Sequence, residues 1–413
     1  MNILMLGRWL PPPRRPVRGT REYQFGRYLV RTHRLTLGFI TDNPDTAGTI
    51  SALRGEFGDL EFASVPRGWK SLVSAVRLAS GESCTLSYFR SEALRTRLAD
   101  RMRGTSYDIV YVSSSTMIQY ALDMDPRIPL VVDFGEVDSE WWAHQAARGT
   151  YGASRFFRTE AARLRAAETT AARRAVRRLV ETPEAALIVH SLAPGGPTVV
   201  IPNGVDSDGI GAAARPGKVP TVIFSVSLRK EAGFKEIIDF CRAILPTVRA
   251  RVPSTRFVIT SRDPVPPDAT ADGVDGVEIV APSIDVRPLF HRHAVAAAPS
   301  GPAFDIRVSV LEPMAAGVPV VTTSLIGNDL RARAGQDLHV SDSRLEFARH
   351  VVELLENDGL REKMGAQGRD LVQRDFSWDV VGARLDELLA GVVKGCAAQN
   401  GSGPRPAPAR REG

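Results

Sequence analysis

A chain of 413 residues, 43% hydrophobic and 24% charged, has the composition of an ordinary soluble globular protein, which excludes a disordered or collagen-like chain. At roughly 150 residues per domain it holds two or three domains, each able to bury a core without staples. Its 53 Lys+Arg against 47 Asp+Glu leave a formal charge of +6, too small to require nucleic acid as a partner, and none is expected.

The elements alternate from the start. Residues 3–6 and 35–41 are apolar strands on either side of a helix over 22–30, and strands follow at 109–112 and 130–133. Continuous apolar strands alternating with helices are the pattern of a parallel sheet covered on both faces. The Ala- and Arg-rich stretch 155–178, free of Gly and Pro, predicts one long helix. Residues 187–189 and 199–201 predict strands, Pro202-Asn203-Gly204-Val205-Asp206 a turn, and the Gly/Ala/Pro stretch 206–219 a linker. A second alternating set places strands at 222–226, 257–260, 277–280, 294–298 and 318–322, with helices over 236–248 and 309–316.

The chain therefore divides into a first Rossmann-like domain over 1–205, the linker 206–219, and a second such domain over 220–378. A final helix covers 379–395, and the Pro/Arg/Gly-rich tail 396–413 is expected to be disordered. Two doubly wound α/β domains predict a ligand cleft outside the carboxyl ends of their strands.

Cys84, Cys241 and Cys396 are far apart and show no ligand spacing, so a reducing compartment and no metal are expected. The close pair His291 and His293 reads as ordinary histidines. No stretch approaches the ~20 apolar residues of a membrane span, and the first residues lack a basic leader, which predicts a cytoplasmic protein.

The densest chemical signal is Val310-Leu311-Glu312-Pro313-Met314-Ala315-Ala316-Gly317-Val318-Pro319-Val320-Val321, a short helix with a carboxylate at one end, a Gly stop and a buried strand. Such a carboxylate accepts two hydrogen bonds from a ribose diol, or else simply belongs to a capped core helix. The segment resembles the signature of retaining glycosyltransferase family 4. The resemblance runs over roughly residues 2 to 390 and is nearest to bacterial exopolysaccharide-type sugar transferases of the PEP-CTERM/exosortase system. It rests further on Leu10-Pro11-Pro12-Pro13 with Gly19, Arg21 and Tyr23, and on Tyr88-Phe89-Arg90-Ser91. The run Val132-Asp133-Phe134-Gly135-Glu136-Val137-Asp138-Ser139-Glu140-Trp141, the turn at 202–206, and Asp285-Val286-Arg287-Pro288 with Ala298-Pro299 complete it.

The resemblance implies the GT-B fold: two Rossmann-like domains facing across a cleft, with a C-terminal helix crossing back to the first. It implies a nucleotide-diphosphate sugar as donor substrate, a hydroxyl acceptor such as a lipid-linked saccharide, and neither cofactor nor metal. Glu312 would hold the ribose, the turn at Gly19-Thr20 would admit the diphosphate with Arg21 as charge partner, and Asp133 and Asp138 would meet the transferred sugar or acceptor. Eight residues before Glu312, where the family has a Glu on the donor sugar, this chain has Phe304, leaving the neighbouring Asp305 for that role. Three before it, in place of a diphosphate-binding Lys, stands Ser309, with Arg307 in reach of the same phosphates. The phosphate loop aligns on 225–234 with Ser227 and Ala232 at the two cation positions, and Arg229 and Lys230 are the nearest cations.

Arg155, Arg158, Arg163, Arg165, Arg173, Arg174, Arg177 and Arg178 share their segment with only Glu160 and Glu168. That helix suits peripheral contact with anionic lipid headgroups, and equally a solvated face. The expected activity is retaining sugar transfer in exopolysaccharide or other glycoconjugate synthesis. The alternative is a degenerate GT-B protein that binds nucleotide or a partner enzyme without turnover.

Overall fold

The computed structural model describes residues 1–8, 20–41, 46–64, 81–135, 137–148, 151–210, 219–226, 231–261, 276–280, 289–290, 293–300 and 307–399. The chain forms two compact units, Met1–Pro202 with Val381–Gly413, and Asn203–Val380.

The first unit is built on a seven-stranded sheet of β1 (Asn2–Gly7), β2 (Arg34–Thr41), β3 (Asp59–Ser64), β4 (Ile109–Ser113), β5 (Leu130–Asp133), β6 (Arg177–Val180) and β7 (Thr198–Val200). Its order is β3-β2-β1-β4-β5-β6-β7, and every pairing is parallel. β4 and β5 are buried at every residue, as strands covered by helices on both faces must be. The helix Trp378–Gln399 reaches this unit through its later turns: a Cβ on Gly382 would lie 2.4 Å from the Tyr28 ring, and His33 meets Asp386 at 2.6 Å.

The second unit carries β8 (Thr221–Val226), β9 (Arg256–Ser261), β10 (Val277–Val280), β11 (Ala294–Ala298), β12 (Val320–Thr322) and β13 (His339–Val340), in the order β10-β9-β8-β11-β12-β13. Side chains alternate between two cores, one on each face. Val222, Phe224, Val295, Ala297 and Val321 enter one. Ile223, Ala294, Ala296, Ala298 and Val320 enter the other. Counted from its own first strand, each sheet has the order 3-2-1-4-5-6, extended by one strand in the first unit. That order places a topological switch point between β1 and β4, and another between β8 and β11. The fold is thus α/β with two Rossmann-like doubly wound units.

Two expectations are corrected. Residues 187–189 are not a strand but lie in the helix Pro183–Leu192, whose Thr182 cap and Pro at its start outweigh three apolar neighbours. The Arg-rich helix is Tyr151–Arg174, and Arg177 and Arg178 belong to β6. Arg178 is buried there because its guanidinium donates to the carbonyls of Ala172, Ala193 and Gly196. Within the expected linker, Ser207–Ile210 is a short helix, while 211–218 lie outside the described residues. Glu160 and Glu168 on the Arg-rich helix are both fully buried. Glu160 accepts hydrogen bonds from Ser83 Oγ and from the backbone N–H groups of Cys84 and Thr85. The expected tail also lies outside the described residues beyond Gln399.

Candidate active site

In the second unit the chain leaves β11 at the switch point and re-enters the described region in a π-helical turn, Arg307–Leu311, which runs directly into the helix Glu312–Ala316. Val310, Leu311, Met314 and Ala315 fill the core beneath, which fixes the turn from below. Gly317 ends the helix at φ 79°, where its N–H bonds the Met314 carbonyl at 2.8 Å and the Val318 N–H bonds the Pro313 carbonyl at 2.9 Å. Gly365 lets the helix Asp358–Asp375 press against this stop, since a Cβ there would stand 2.0 Å from the Gly317 carbonyl oxygen. The outcome is a rigid mount for two polar residues, Glu312 at 8% exposure and Ser309 at 1%. π-turns inside helices cluster at functional sites, and this one follows the central strand where ligands of such sheets bind.

Other expected donor-site residues are not placed. Gly19, Ser227, Arg229, Lys230 and Asp305 lie outside the described residues, as does the Arg307 side chain, and so does His291.

In the first unit, two of the expected residues find each other. Thr20 caps the helix Arg21–Leu29, and Arg21 at its start is turned inward. Its Nε donates to Asp133 Oδ2 at 2.7 Å and its other nitrogens to the carbonyls of Ile201 at 2.8 Å and Pro202 at 3.1 Å, while the guanidinium stacks on Phe25 at 4.6 Å. Asp133 is fully buried and also accepts from Tyr111 Oη at 2.7 Å and the Gly135 N–H at 3.0 Å. Burial works against the Arg21 charge, but the charge and hydrogen bond of Asp133 together with Glu181 and Tyr111 outweigh it and hold the guanidinium above its ordinary pKa. Burial, followed by Asp133, pushes the Tyr111 phenol far up. The expected roles of Arg21 at a diphosphate and of Asp133 at a sugar do not fit this geometry. Both side chains are withdrawn from the surface and occupied with protein groups, and the pair ties β5, the Arg21–Leu29 helix and the end of β7 together.

Asp138 behaves differently. It opens the helix Asp138–Arg148, keeps 24% of its side chain exposed and faces Arg8, just past β1, at 3.6 Å. Desolvation raises its pKa above the ordinary carboxylate value, against the pull of Arg8 and hydrogen bonds with Ser115 and Ser114. Ser114, just past β4, holds φ at 82°, a strained conformation for a non-glycine residue. Behind it, Ser115 Oγ donates to Glu168 Oε1 at 2.9 Å, and the Ser139 N–H donates to the same oxygen at 3.1 Å. Glu168 is fully buried, its Oε2 has no hydrogen-bond partner, and burial raises its pKa.

Sequence reasoning singles out neither Arg8, Ser114, Ser115 nor Glu168 as site residues. The available signal is the polar run Ser113-Ser114-Ser115-Thr116 directly after a buried strand, together with Arg8 after the first strand. These are the two strand ends that flank a switch point. A partly exposed carboxyl of raised pKa beside hydroxyls and a guanidinium can accept a hydrogen bond from a substrate hydroxyl or take up its proton.

Residues 219–357 match the family model described as Glycosyl transferases group 1. No curated protein matches the sequence. Among solved structures, sucrose-phosphate synthase from Thermosynechococcus elongatus is similar at a TM-score of 0.64 and 12% identity, covering 96% of this chain and 100% of that one. Anabaena HepE in complex with UDP and glucose is similar at 0.58 and 14% identity, covering 95% and 100%. A trehalose-6-phosphate structure from E. coli bound with UDP-2-fluoro glucose is similar at 0.60 and 11% identity, covering 94% and 99%. At such identities the structural likeness establishes the fold, and with the matched segment it supports a glycosyltransferase of the GT-B type.

Proposed function

We propose that this chain transfers a sugar from a nucleotide-diphosphate sugar to a hydroxyl acceptor with retention at the anomeric carbon, in exopolysaccharide or other glycoconjugate synthesis. The observation that carries the reading is Glu312: a buried carboxylate on a π-turn, after the central strand of a 3-2-1-4-5-6 sheet, inside the segment that matches the glycosyl transferase family. That position suits a carboxylate that accepts hydrogen bonds from a ribose diol. The structures of similar fold that hold UDP, UDP-glucose or UDP-2-fluoro glucose lend support.

In this reading the bond from the anomeric carbon to the diphosphate oxygen breaks as the acceptor oxygen bonds to the same face. The departing phosphate takes the acceptor proton. Arg229, Lys230 and Arg307 supply the positive charge that the leaving diphosphate needs, a type of stabilisation whose single-donor loss costs roughly 10²–10³ in rate. Asp138, held by Ser114 and Ser115, orients a sugar hydroxyl. No metal or cofactor takes part, the protein works in the cytoplasm, and a lipid-linked saccharide is the acceptor class. The exposed Arg155, Arg158, Arg165 and Arg173 of the Tyr151–Arg174 helix would favour an anionic membrane surface.

The test is a panel of UDP-, GDP-, ADP- and TDP-sugars, scored for thermal stabilisation and for release of the nucleoside diphosphate. One stabilising donor with slow release is the expected result, and Glu312→Gln should raise the KM for that donor about 10-fold, the worth of a charge-assisted hydrogen bond. Stabilisation by nucleotide with no release, even with acceptors added, would instead mark a binder without turnover, the reading that Phe304 and Ser309 favour.

A further inference from the structure

Away from Glu312, on the other side of β12, the second unit gathers two imidazoles and a carboxylate. His339 lies on the edge strand β13, and His350 and Glu353 lie three residues apart on the helix Arg344–Glu356, a spacing that puts them on one helix face. Glu353 Oε2 stands 3.5 Å from His339 Nε2 and 3.6 Å from His350 Nδ1. One ligand atom from each of the three falls within 4.8 Å of the others. In a tetrahedral shell with metal–ligand distances of ~2.0–2.1 Å, neighbouring ligand atoms sit about 3.3–3.4 Å apart, so the carboxylate already stands near the required separation from both rings.

The second observation is His339 itself. Only 9% of the residue is exposed, and its Nε2, aimed at Glu353, makes no hydrogen bond. A buried ring nitrogen without a hydrogen bond is costly unless something satisfies it. Protein groups do not, although the donor set offered to that point is two nitrogens and an oxygen.

We infer that His339, His350 and Glu353 form a binding site for a borderline transition-metal ion, with Zn²⁺ the best fit. Imidazole with carboxylate suits Zn²⁺, Ni²⁺, Co²⁺ or Cu²⁺ and disfavours Mg²⁺ and Ca²⁺, which want oxygen shells. Three protein ligands leave a position for water. Access is open, because the Glu353 side chain is 51% exposed and that of His350 27%. The two rings stack at 4.1 Å with only 12° between their planes, so their in-plane lone pairs lie in nearly parallel planes and cannot meet at one ion as they stand. Binding therefore turns the more exposed His350 about its side-chain bonds until its lone pair meets that of His339. The ion then pins β13, a strand of two residues paired among the described residues with β12 alone, onto the helix that covers it. None of the three residues belongs to the proposed donor site, and the inference stands whether or not the chain transfers sugar.

The experiment uses the full untagged chain, stripped with chelator and titrated with Zn²⁺ by calorimetry, and with Co²⁺ while visible absorption is recorded. One ion per chain, a rise in Tm on Zn²⁺ addition and a tetrahedral Co²⁺ spectrum are expected. His350→Ala and Glu353→Gln, both at partly exposed positions that spare the fold, should each weaken Zn²⁺ by more than the roughly 10–100-fold that losing an outer-shell partner costs. His190→Ala, on an exposed helix of the first unit, should bind as the parent does. No binding by the parent, or parent-like affinity in both His350→Ala and Glu353→Gln, would overturn the site.

Discussion

Asp133 and Asp138 are five residues apart at and just past the end of strand β5, and both look acidic and cleft-facing in sequence, yet the fold uses them in opposite ways. Asp133 ends the strand with its side chain inside the unit, where Arg21, Tyr111 and the Gly135 N–H occupy its oxygens. Asp138 starts the next helix with part of its carboxyl exposed, facing Arg8 at a longer 3.6 Å, and its charge is disfavoured. A carboxylate fully matched by protein groups has nothing left for a ligand. One that is partly desolvated and incompletely matched is where substrate chemistry is to be sought.

The contrast breaks most visibly in stability. Arg21→Ala leaves Asp133 buried without its countercharge, and removing one partner of such a pair costs about 3–5 kcal/mol. Urea denaturation should show a drop of that size in the unfolding free energy. A double variant, Arg21→Met with Asp133→Leu, should recover part of the loss by removing both charges. Full recovery is not expected, since the Ile201 and Pro202 carbonyls would still lack the donors Arg21 gave them. A change under about 1 kcal/mol in Arg21→Ala, the size of an ordinary point substitution, would mean that the pair is not what ties β5 to the helix.

Asp138→Asn keeps the size of the side chain and its hydrogen-bonding capacity toward Ser114 and Ser115 while giving up a disfavoured charge and a 3.6 Å pair with Arg8, so unfolding should stay within about 0.5 kcal/mol of the parent. Its effect should appear in turnover: a lost hydrogen bond to a charged group, worth about 1.5–3 kcal/mol, lowers kcat/KM by roughly 10- to 100-fold with the identified donor and acceptor. Comparable losses of stability in Arg21→Ala and Asp138→Asn would erase the distinction between the two aspartates.

How far the sequence carries can be read off the same residues. Apolar runs locate β1, β2, β4, β5, β8, β9, β11 and β12, because strands buried on both faces leave an unbroken hydrophobic signal, and β10 is located through its flanking Val and Ile. β6 escapes notice because Arg177 and Arg178 look like the continuation of an Arg-rich helix. What makes Arg178 a strand residue is a set of carbonyls from distant residues and a Gly196 whose Cβ would stand 2.0 Å from its guanidinium. Glu312 is legible through its local motif of helix, Gly stop and strand. The partnership of Arg21 with Asp133 is not, since the two are 112 residues apart and only the sheet brings them together. The Ser114–Asp138–Glu168 group likewise draws on three separate elements, so no local spacing announces it. The His339, His350 and Glu353 cluster hides in the same way, with a strand-to-helix crossing between its histidines.

The smallest expected effect sharpens the comparison through pH. Glu168 supports the Asp138 side of the contrast through Ser115, and its burial raises its pKa above the ordinary 4.5. In the interval between 4.5 and the raised value, the folded chain binds more protons at this site than the unfolded chain does. Stability from this group therefore falls as pH rises through that interval and is restored as pH drops below it, by up to about 1.4 kcal/mol for each pH unit the interval spans. Other carboxylates, such as Asp337 with its lowered pKa, tilt the parent's profile the opposite way, so the signal lies in a difference. Subtracting the pH profile of Glu168→Gln from that of the parent should leave a negative slope from pH 4.5 upward, flat at higher pH. A flat difference throughout would mean that Glu168 keeps its ordinary acidity, and that the hydroxyl of Ser115 and the N–H of Ser139 offset its burial.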